Sequence, residues 1–298
     1  MIATTEYELV TDSVGQVDRS DRAKFLVRGS EAADFLQGQV SNDVEALAPG
    51  TGCYATLLTT KGKLRTDLRI LRKDDSFWLD TEAIGHAVLR HMLETYSLGR
   101  DVSFEDVTGS RALVSLIGPA AREALDAQPP ELEHAFVEGE HGLYVSTHLG
   151  VDVIGDPGLE LGVEAVSEET AECIRIESGR PRLGFDMDAE TMPQEAGINE
   201  RAVSFTKGCY VGQETVARLH YKGKPNRHLR GLRLSEPVER GTEILLGEKV
   251  VGRVASTCVS PRFGPIALTV LRREAEPGDE VSVNGATAEV VGLPFTRG

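Results

Sequence analysis

The sequence of 298 residues lacks several features that mark whole classes of proteins. No apolar run is long enough to cross a bilayer, and the N-terminus lacks the charged and apolar pattern of a signal peptide. No Gly-x-Gly-x-x-Gly or Walker-type loop is present, which argues against nucleotide binding by those routes. The few cysteines form no C-x-x-C pair and lie far apart, at Cys53, Cys173, Cys209 and Cys258. We therefore expect a cytoplasmic protein with free thiols, no metal site and no membrane contact.

Positive charge is outnumbered, since 32 Lys and Arg residues stand against 47 Asp and Glu residues and the formal net charge is -15. One segment, residues 207–233, runs against this trend and carries only one carboxylate, Glu214. Its seven basic residues are Lys207, Arg218, Lys222, Lys224, Arg227, Arg230 and Arg233. A compact positive patch on a negative protein predicts an anionic ligand or an acidic partner. Nucleic acid is an unfavoured partner for so acidic a chain, although the patch leaves a role as an RNA-modification helper open.

The order of secondary-structure signals predicts an α+β fold. Apolar and β-branched runs predict strands at 23–28, 53–58, 64–71 and 76–80. Helices are predicted at 83–97 and from about Ser167 to Gly179. In the first of these helices we expect His91 to lie on the buried stripe formed by Ile84, Ala87, Val88, Met92 and Tyr96.

The character of the sequence changes near residue 229. From there on, short runs at 229–234, 243–246, 250–258, 266–271, 280–283 and 286–291 alternate with turns rich in Gly, Pro and Asn. Evenly spaced strands without helices predict a small β-barrel. We therefore divide the chain into an α+β region, residues 1–228, and a C-terminal barrel, residues 229–298.

Residues 207–214 read K-G-C-Y-V-G-Q-E and resemble the hallmark of the YgfZ family of folate-binding proteins. The motif consists of Lys207, Gly208, Cys209, Tyr210, Val211, Gly212, Gln213 and Glu214. Further blocks follow the order seen across the aminomethyltransferase (glycine-cleavage T-protein) superfamily, at 35–39, 41–43, 61–63, 175–179, 184–186 and 193–197. The resemblance spans nearly the whole chain, and the cysteine motif is its most specific part.

The resemblance implies a folate-binding region with a central channel, followed by a small barrel. It implies that the cofactor is tetrahydrofolate or a reduced derivative, whose pterin ring is held by Glu177 in the block R-I-E-S-G. A carboxylate suits this role because it accepts two parallel hydrogen bonds. Asp67 lies near the acidic residue that T-proteins use on the folate, but Thr66 replaces its usual acidic neighbour. We also expect Arg218, Lys222 and Arg227 at the channel mouth, where they would meet the glutamyl carboxylates of folate or an acidic partner. Tyr221 would stack on a flat ring or line the domain junction.

Cys209 is the residue for which the motif predicts chemistry. Lys207 and Arg218 would favour its thiolate, and the flanking glycines, Gly208 and Gly212, permit close backbone approach. Its possible tasks are thiol exchange, ligation of a cluster shared with a partner, or reaction with a one-carbon unit. We expect Cys209 to be alkylated faster than the other three cysteines.

The resemblance implies a tetrahydrofolate-binding accessory protein that supports iron-sulfur cluster assembly or repair, with Cys209 as its essential group. Its partners would be folate and iron-sulfur client or assembly proteins, and it would bind rather than turn over. The alternative is a folate-dependent aminomethyltransferase, in which an acidic residue near Asp67 orients the one-carbon carrier, Glu177 holds the pterin and the cysteine is incidental.

Overall fold

The computed structural model describes residue 2 and residues 4–296. These residues form six α-helices: α1 (Thr4–Asp12), α2 (Ala32–Gln39), α3 (His86–Tyr96), α4 (Glu168–Glu177), α5 (Asn199–Ala202) and α6 (Gln213–Lys222). The first strands along the chain are β1 (Gly15–Asp18), β2 (Ala23–Arg28), β3 (Thr51–Leu58), β4 (Leu64–Lys73), β5 (Ser76–Thr81) and β6 (Ser103–Asp106). They are followed by β7 (Ala112–Ile117), β8 (Phe136–Gly139), β9 (Gly142–Ser146) and β10 (Gly150–Gly155). Within this described part of the chain, no helix has the length and apolar character needed to span a membrane.

Two antiparallel sheets pack face to face in the N-terminal region. The first has the strand order β3-β4-β5-β2-β6, and the second has the order β1-β7-β10-β9-β8. One face of the first sheet is covered by α2 and α3, whose buried side chains meet those of Phe25 and Ile70. The other face carries Leu71 and Trp78, which pack against Leu113 of the second sheet. Alternate residues of the first sheet therefore enter different cores, as the two-residue period of a strand requires.

The C-terminal region is a curled antiparallel sheet of seven strands with the order β13-β12-β16-β17-β11-β15-β14. Its strands are β11 (Arg227–Leu234), β12 (Glu243–Leu246), β13 (Lys249–Arg253), β14 (Thr257–Ser260), β15 (Gly264–Arg272), β16 (Glu280–Val283) and β17 (Ala286–Val291). The expected run 250–258 divides into β13 and β14. The α+β fold with a small C-terminal barrel is thus confirmed, whereas the exact division of the chain at 228/229 stays a prediction.

Helix α3 differs from its sequence-based prediction. A 3-10 turn, Ala83–Gly85, comes first, and the α-helix buries Leu89, Met92 and Leu93. Ile84 and Tyr96 are 67% and 48% exposed, and His91 is exposed as well, so the expected stripe and the buried histidine were wrong. His91 is two positions from both Leu89 and Leu93, so it faces away from these buried residues.

Helix α4 joins the two regions and begins as predicted. The Ser167 side chain caps it by accepting a hydrogen bond from the Thr170 amide. Near the other end, Arg175 Nη1 donates to Asp186 at 2.9 Å and Nη2 donates to Ser256 of the C-terminal region at 2.7 Å. This buried arginine holds the end of α4, and with it Glu177, against the barrel.

Candidate functional site

A charged cavity of about 180 Å³ lies between the two sheets of the N-terminal region. Strands, the loop after α4 and the short helix α5 supply its walls, which include Tyr54, Asp67, Arg69, Ser115, Asp152, Arg180, Arg182 and Arg201. The loop before β8 adds Glu133 and His134, and the loop after β9 adds His148. We refer to this space as the central cavity, and it is the candidate functional site.

Asp67 on β4 is the predicted site residue that lines the central cavity. It is 8% exposed, and its Oδ2 accepts a hydrogen bond of 2.6 Å from the Tyr54 hydroxyl. Burial raises the pKa of Asp67 above its usual value. The Tyr54 ring lies under the guanidinium of Arg201 at 4.8 Å, a cation–π contact that fixes its orientation. The geometry therefore presents a buried carboxyl suited to proton exchange with a bound molecule.

Arg69 lies two residues after Asp67 on the same face of β4. Its Nε donates to Asp80 at 2.7 Å and its Nη1 donates to Asp152 at 2.6 Å. Its Nη2 has no hydrogen-bond partner in the described part of the chain, although it is buried. The same holds for Arg201 Nε and His134 Nδ1. Buried polar atoms are nearly always paired, so these atoms indicate a polar ligand or water in the cavity.

Glu133 is a second carboxylate in the wall of the cavity. Its carboxylate lies 3.3 Å from Arg180 and 3.4 Å from Arg201. Burial lowers the pKa of His134 to about 4, with Arg69 adding to the effect, and burial also lowers the pKa of His148 to about 4. Both imidazoles are therefore neutral at pH 7, and the ionic charge at this wall comes from arginines and Glu133.

Glu177 lines a neighbouring cavity of about 560 Å³. The two cavities share Ile117, Thr147, His148 and Leu149 as a common wall. The carboxylate of Glu177 accepts hydrogen bonds of 2.9 and 3.0 Å from the Tyr7 hydroxyl, and a further one from Ser260. Asp67 and Glu177 thus face adjacent spaces, and Glu177 already has partners within the protein.

Lys207, the first residue of the cysteine motif, points into the protein. Its Nζ donates to the carbonyls of Gln37, Val40 and Asn42 at 2.6, 2.7 and 2.9 Å. Burial lowers its pKa to about 8. Lys207 therefore holds the loop after α2 in place, and its ammonium is engaged by that loop.

The rest of the motif forms a loop that leads into α6. Gly212 precedes the helix with φ 87°, and a Cβ atom there would lie 2.5 Å from the Thr59 carbonyl oxygen. At Gly208, by contrast, a Cβ atom would meet nothing within 4 Å. Tyr210 is buried, whereas Cys209 is exposed. The Cys209 thiol is thus presented to solvent from a loop that begins at Lys207, which is bonded to the protein interior, and ends at Gly212, where the chain turns into α6.

The remaining predicted residues lie outside the central cavity. Arg218 is exposed on α6, and Tyr221 is 66% exposed with its ring edge against His220. Arg227 donates to Glu195 at 3.0 and 2.8 Å. The expected position of Arg218, Lys222 and Arg227 at a channel mouth stays a prediction.

Most of the cavity's polar residues were missed from the sequence. One signal was available: Asp67 and Arg69 occupy alternate positions of one strand, and period two places them on one face. The other arginines come from distant segments, and no local pattern predicts that they meet.

Comparison with protein families connects this geometry to known proteins. Residues 1–136 match the GCVT N-terminal domain, and residues 227–296 match the glycine cleavage T-protein C-terminal barrel domain. The aminomethyltransferase of Thermotoga maritima is 30% identical over 98% of this chain and 89% of its own length. The chain belongs to the glycine cleavage T-protein family.

Other members of the family give the same result. The aminomethyltransferase of a Nostoc species is 29% identical over 99% of this chain and 88% of its own length. The probable aminomethyltransferase of Natronomonas pharaonis is 30% identical, over 98% and 90% of the two chains. The crystal structure of glycine cleavage system aminomethyltransferase T from Bartonella henselae shares the fold, with a TM-score of 0.88 at 23% identity, covering 98% and 89% of the chains.

The predicted membership of this superfamily is therefore confirmed. The narrower assignment to the YgfZ group, the link to iron-sulfur proteins and the cytoplasmic location stay predictions.

Proposed function

We propose that the central cavity binds tetrahydrofolate or a reduced derivative and that this protein is a folate-dependent aminomethyltransferase. The family relatives carry the name aminomethyltransferase, and tetrahydrofolate use is consistent with that family. Of the two functions expected from the sequence, we thus favour the aminomethyltransferase over the accessory protein for iron-sulfur clusters. The observation that carries it is the buried carboxyl of Asp67, hydrogen-bonded to Tyr54 at the wall of a cavity.

The residues around Asp67 suit a reduced folate. Among the residues that the structure describes, Arg69 Nη2 and Arg201 Nε are buried donors without a hydrogen-bond partner, and acceptor atoms of a polar ring system would suit them. The cavity volume of about 180 Å³ is below that of typical drug-sized sites and fits a ring system, not a whole folate. The remainder of the molecule would extend past His148 toward the space lined by Glu177.

Asp67 is the residue to which we assign proton transfer. Its raised pKa brings the carboxyl nearer to the range in which it exchanges a proton with an amine nitrogen of the bound carrier. Tyr54 holds the carboxyl in one orientation through its 2.6 Å hydrogen bond. The folate supplies the acceptor for the one-carbon unit, and the protein supplies orientation, exclusion of water and the titrating group.

Calorimetric titration with tetrahydrofolate and a glycine-cleavage assay with a lipoyl carrier protein test this proposal. We expect Asp67→Asn to retain folate binding within about threefold and to lose transfer activity by roughly 100-fold or more, because general acid–base catalysis contributes this much. Asp75→Asn makes the same substitution at an exposed hairpin position and should leave both quantities unchanged. Absence of folate binding by the native protein, or full activity of Asp67→Asn, would refute the proposal.

The exposure of Cys209 favours a second candidate function, that of a folate-binding accessory protein for iron-sulfur cluster assembly or repair. A thiol held at the surface by Lys207 and Gly212 is accessible to a partner protein. This role predicts that cells carrying Cys209→Ala lose activity of iron-sulfur enzymes, whereas cells carrying Cys53→Ala do not. Folate binding would be unchanged in both variants. If the protein shows glycine-cleavage activity and the iron-sulfur enzymes of Cys209→Ala cells are normal, the function is that of the transferase.

A further inference from the structure

Two cysteines outside the cysteine motif of residues 207–214 meet where the N-terminal region contacts the barrel. Cys173 lies on α4 and Cys258 lies on β14, 85 positions later in the sequence. Their sulfur atoms are 3.5 Å apart. Cys173 is fully buried, whereas Cys258 is partly exposed. This arrangement provides one thiol that a small oxidant can reach and a second thiol directly behind it.

We propose that Cys173 and Cys258 form a reversible dithiol–disulfide site that responds to peroxide-class oxidants and covalently ties α4 to the C-terminal barrel. A disulfide requires a sulfur–sulfur distance of about 2.05 Å, so the two sulfur atoms must approach by roughly 1.5 Å. Rotation of the cysteine side chains supplies part of this distance. Helix α4 already packs against this part of the barrel, because Ile176 contacts the cluster that contains Ile266 of β15, the strand residue paired with Cys258.

The chemistry begins at Cys258. Its thiolate attacks one peroxide oxygen, which breaks the O–O bond, releases hydroxide and leaves a sulfenic acid on Cys258. Cys173 then attacks that sulfur, the S–O bond breaks, and water leaves. The Cys173 proton passes through Glu177 to the leaving oxygen, and the proton that Cys258 lost converts the hydroxide of the first step into water. In sum, two thiols and one hydrogen peroxide give one disulfide and two waters.

The surroundings of Cys173 fit the part of the second, resolving thiol. Its contact with Cys258 and its burial raise its pKa well above the usual range, so it stays protonated until the partner sulfur is oxidised. The Glu177 carboxylate lies 3.5 Å from Cys173 Sγ and accepts its proton. Glu177 therefore serves as the base that releases the Cys173 thiolate in the second step.

Oxidation would change the site in two ways. The S–H donor that Cys173 offers to Glu177 disappears, which alters the environment of the carboxylate that faces the second cavity. The new covalent bond also closes a long loop between the two regions, which restricts the unfolded chain and raises thermal stability. The inference rests on these contacts alone and does not depend on folate binding.

The test treats the full-length protein with hydrogen peroxide, alkylates the remaining thiols and maps the non-reduced peptides by mass spectrometry. We expect a linked peptide containing Cys173 and Cys258, together with a melting temperature higher by about 5 °C or more that dithiothreitol reverses. Cys258→Ser should abolish both effects. Cys209→Ser, which removes the exposed thiol, should retain both.

Two results would overturn the proposal. One is that Cys173 and Cys258 are recovered in alkylated form, and thus as unoxidised thiols, after peroxide has already modified Cys209. The other is a peroxide-dependent stability gain that persists in Cys258→Ser. Because peptide mapping is performed on the native sequence, the proposal remains testable even if a substituted variant fails to fold.

Discussion

Asp80 provides a quantitative test of how the arginines of the central cavity are held. Its carboxylate is fully buried on β5 and accepts hydrogen bonds of 3.1 and 2.8 Å from Arg22 and of 2.7 Å from Arg69. Burial opposes ionisation of Asp80, but Arg69 and Arg22 outweigh it, so its pKa lies below the usual value. This carboxylate helps to hold Arg69 at the wall of the central cavity.

The substitution Asp80→Asn keeps the shape of the side chain and removes its charge. The amide group then places its own N–H donors against two guanidinium groups, which leaves buried positive charge uncompensated. Breaking a buried ion pair costs about 3–5 kcal/mol. Arg69 retains Asp152 and Arg22 retains Glu82 as partners, so we expect the low end, about 3 kcal/mol.

Urea unfolding at pH 7 measures this loss, and the protein carries its own reporter. The single tryptophan, Trp78, lies on β5 two residues before Asp80, so its fluorescence follows the unfolding of this sheet. The urea midpoint should fall in Asp80→Asn at an unchanged slope. Asp75→Asn, exposed at the β4–β5 turn, should stay within about 0.5 kcal/mol of the native protein.

The pH dependence adds a second criterion. Because the folded-state pKa of Asp80 is lower than its unfolded value, its contribution is complete above the unfolded pKa and is lost as pH falls through the folded pKa. The difference between native protein and Asp80→Asn should therefore shrink below about pH 4. A loss under about 1 kcal/mol at pH 7, or a difference that does not change with pH, would refute the assignment of a buried ion pair.

Three further predictions concern the motif and the cavity wall. Gly212→Ala should lower the free energy of unfolding by about 1–3 kcal/mol, because the φ angle of Gly212 is positive and the added methyl group would meet the Thr59 carbonyl. The control Gly208→Ala should be nearly neutral. Equal urea midpoints of the two variants would contradict the prediction. Alkylation at pH 7, followed by mass spectrometry, should modify exposed Cys209 before the other cysteines, and faster labelling of any other would contradict it. Burial lowers the pKa of His134 to about 4, below its value in the unfolded chain. The free energy of unfolding should therefore decrease as pH drops from about 6.5 to 4. In urea titrations, this decrease should be smaller for His134→Gln than for the native protein.

The fold was largely predictable because its strands carry local signals. Residues 23–28 and 64–71 are apolar or alternating runs of strand length, and both are strands in the structure. Helix α6 was missed because its sequence, Q-E-T-V-A-R-L-H-Y-K, buries only Val216 and so lacks a wide apolar stripe. The position of α3 was misjudged because two apolar stripes compete within 83–97, and tertiary packing selects Leu89 and Leu93.

The site was less predictable, because its parts come together only through sheet packing. Asp67 and Arg69 share a strand, but Asp152 belongs to the second sheet and Arg201 to a helix more than one hundred residues away in the chain. Resemblance to a family supplied Asp67. It also pointed to Glu177, which the structure surrounds with Tyr7 and Ser260 in the adjacent cavity, and the contacts of these two residues could not be inferred from a motif.

Local density of charge in the sequence is a weak guide to a binding site in this protein. The basic residues of 207–233 diverge in space: Lys207 turns inward to three carbonyls, Arg218 faces solvent, and Arg227 pairs with Glu195. A loop, a helix and a strand follow one another in this segment, and each sends its side chains in a different direction. Two arginines of the central cavity, Arg22 and Arg69, come from separate segments and are kept near one another by the buried carboxylate of Asp80, while the partly buried Asp152 also pairs with Arg69. A positive site inside a protein needs such compensating acids, because like charges repel strongly where water is excluded. An acidic composition is therefore compatible with an arginine-rich cavity.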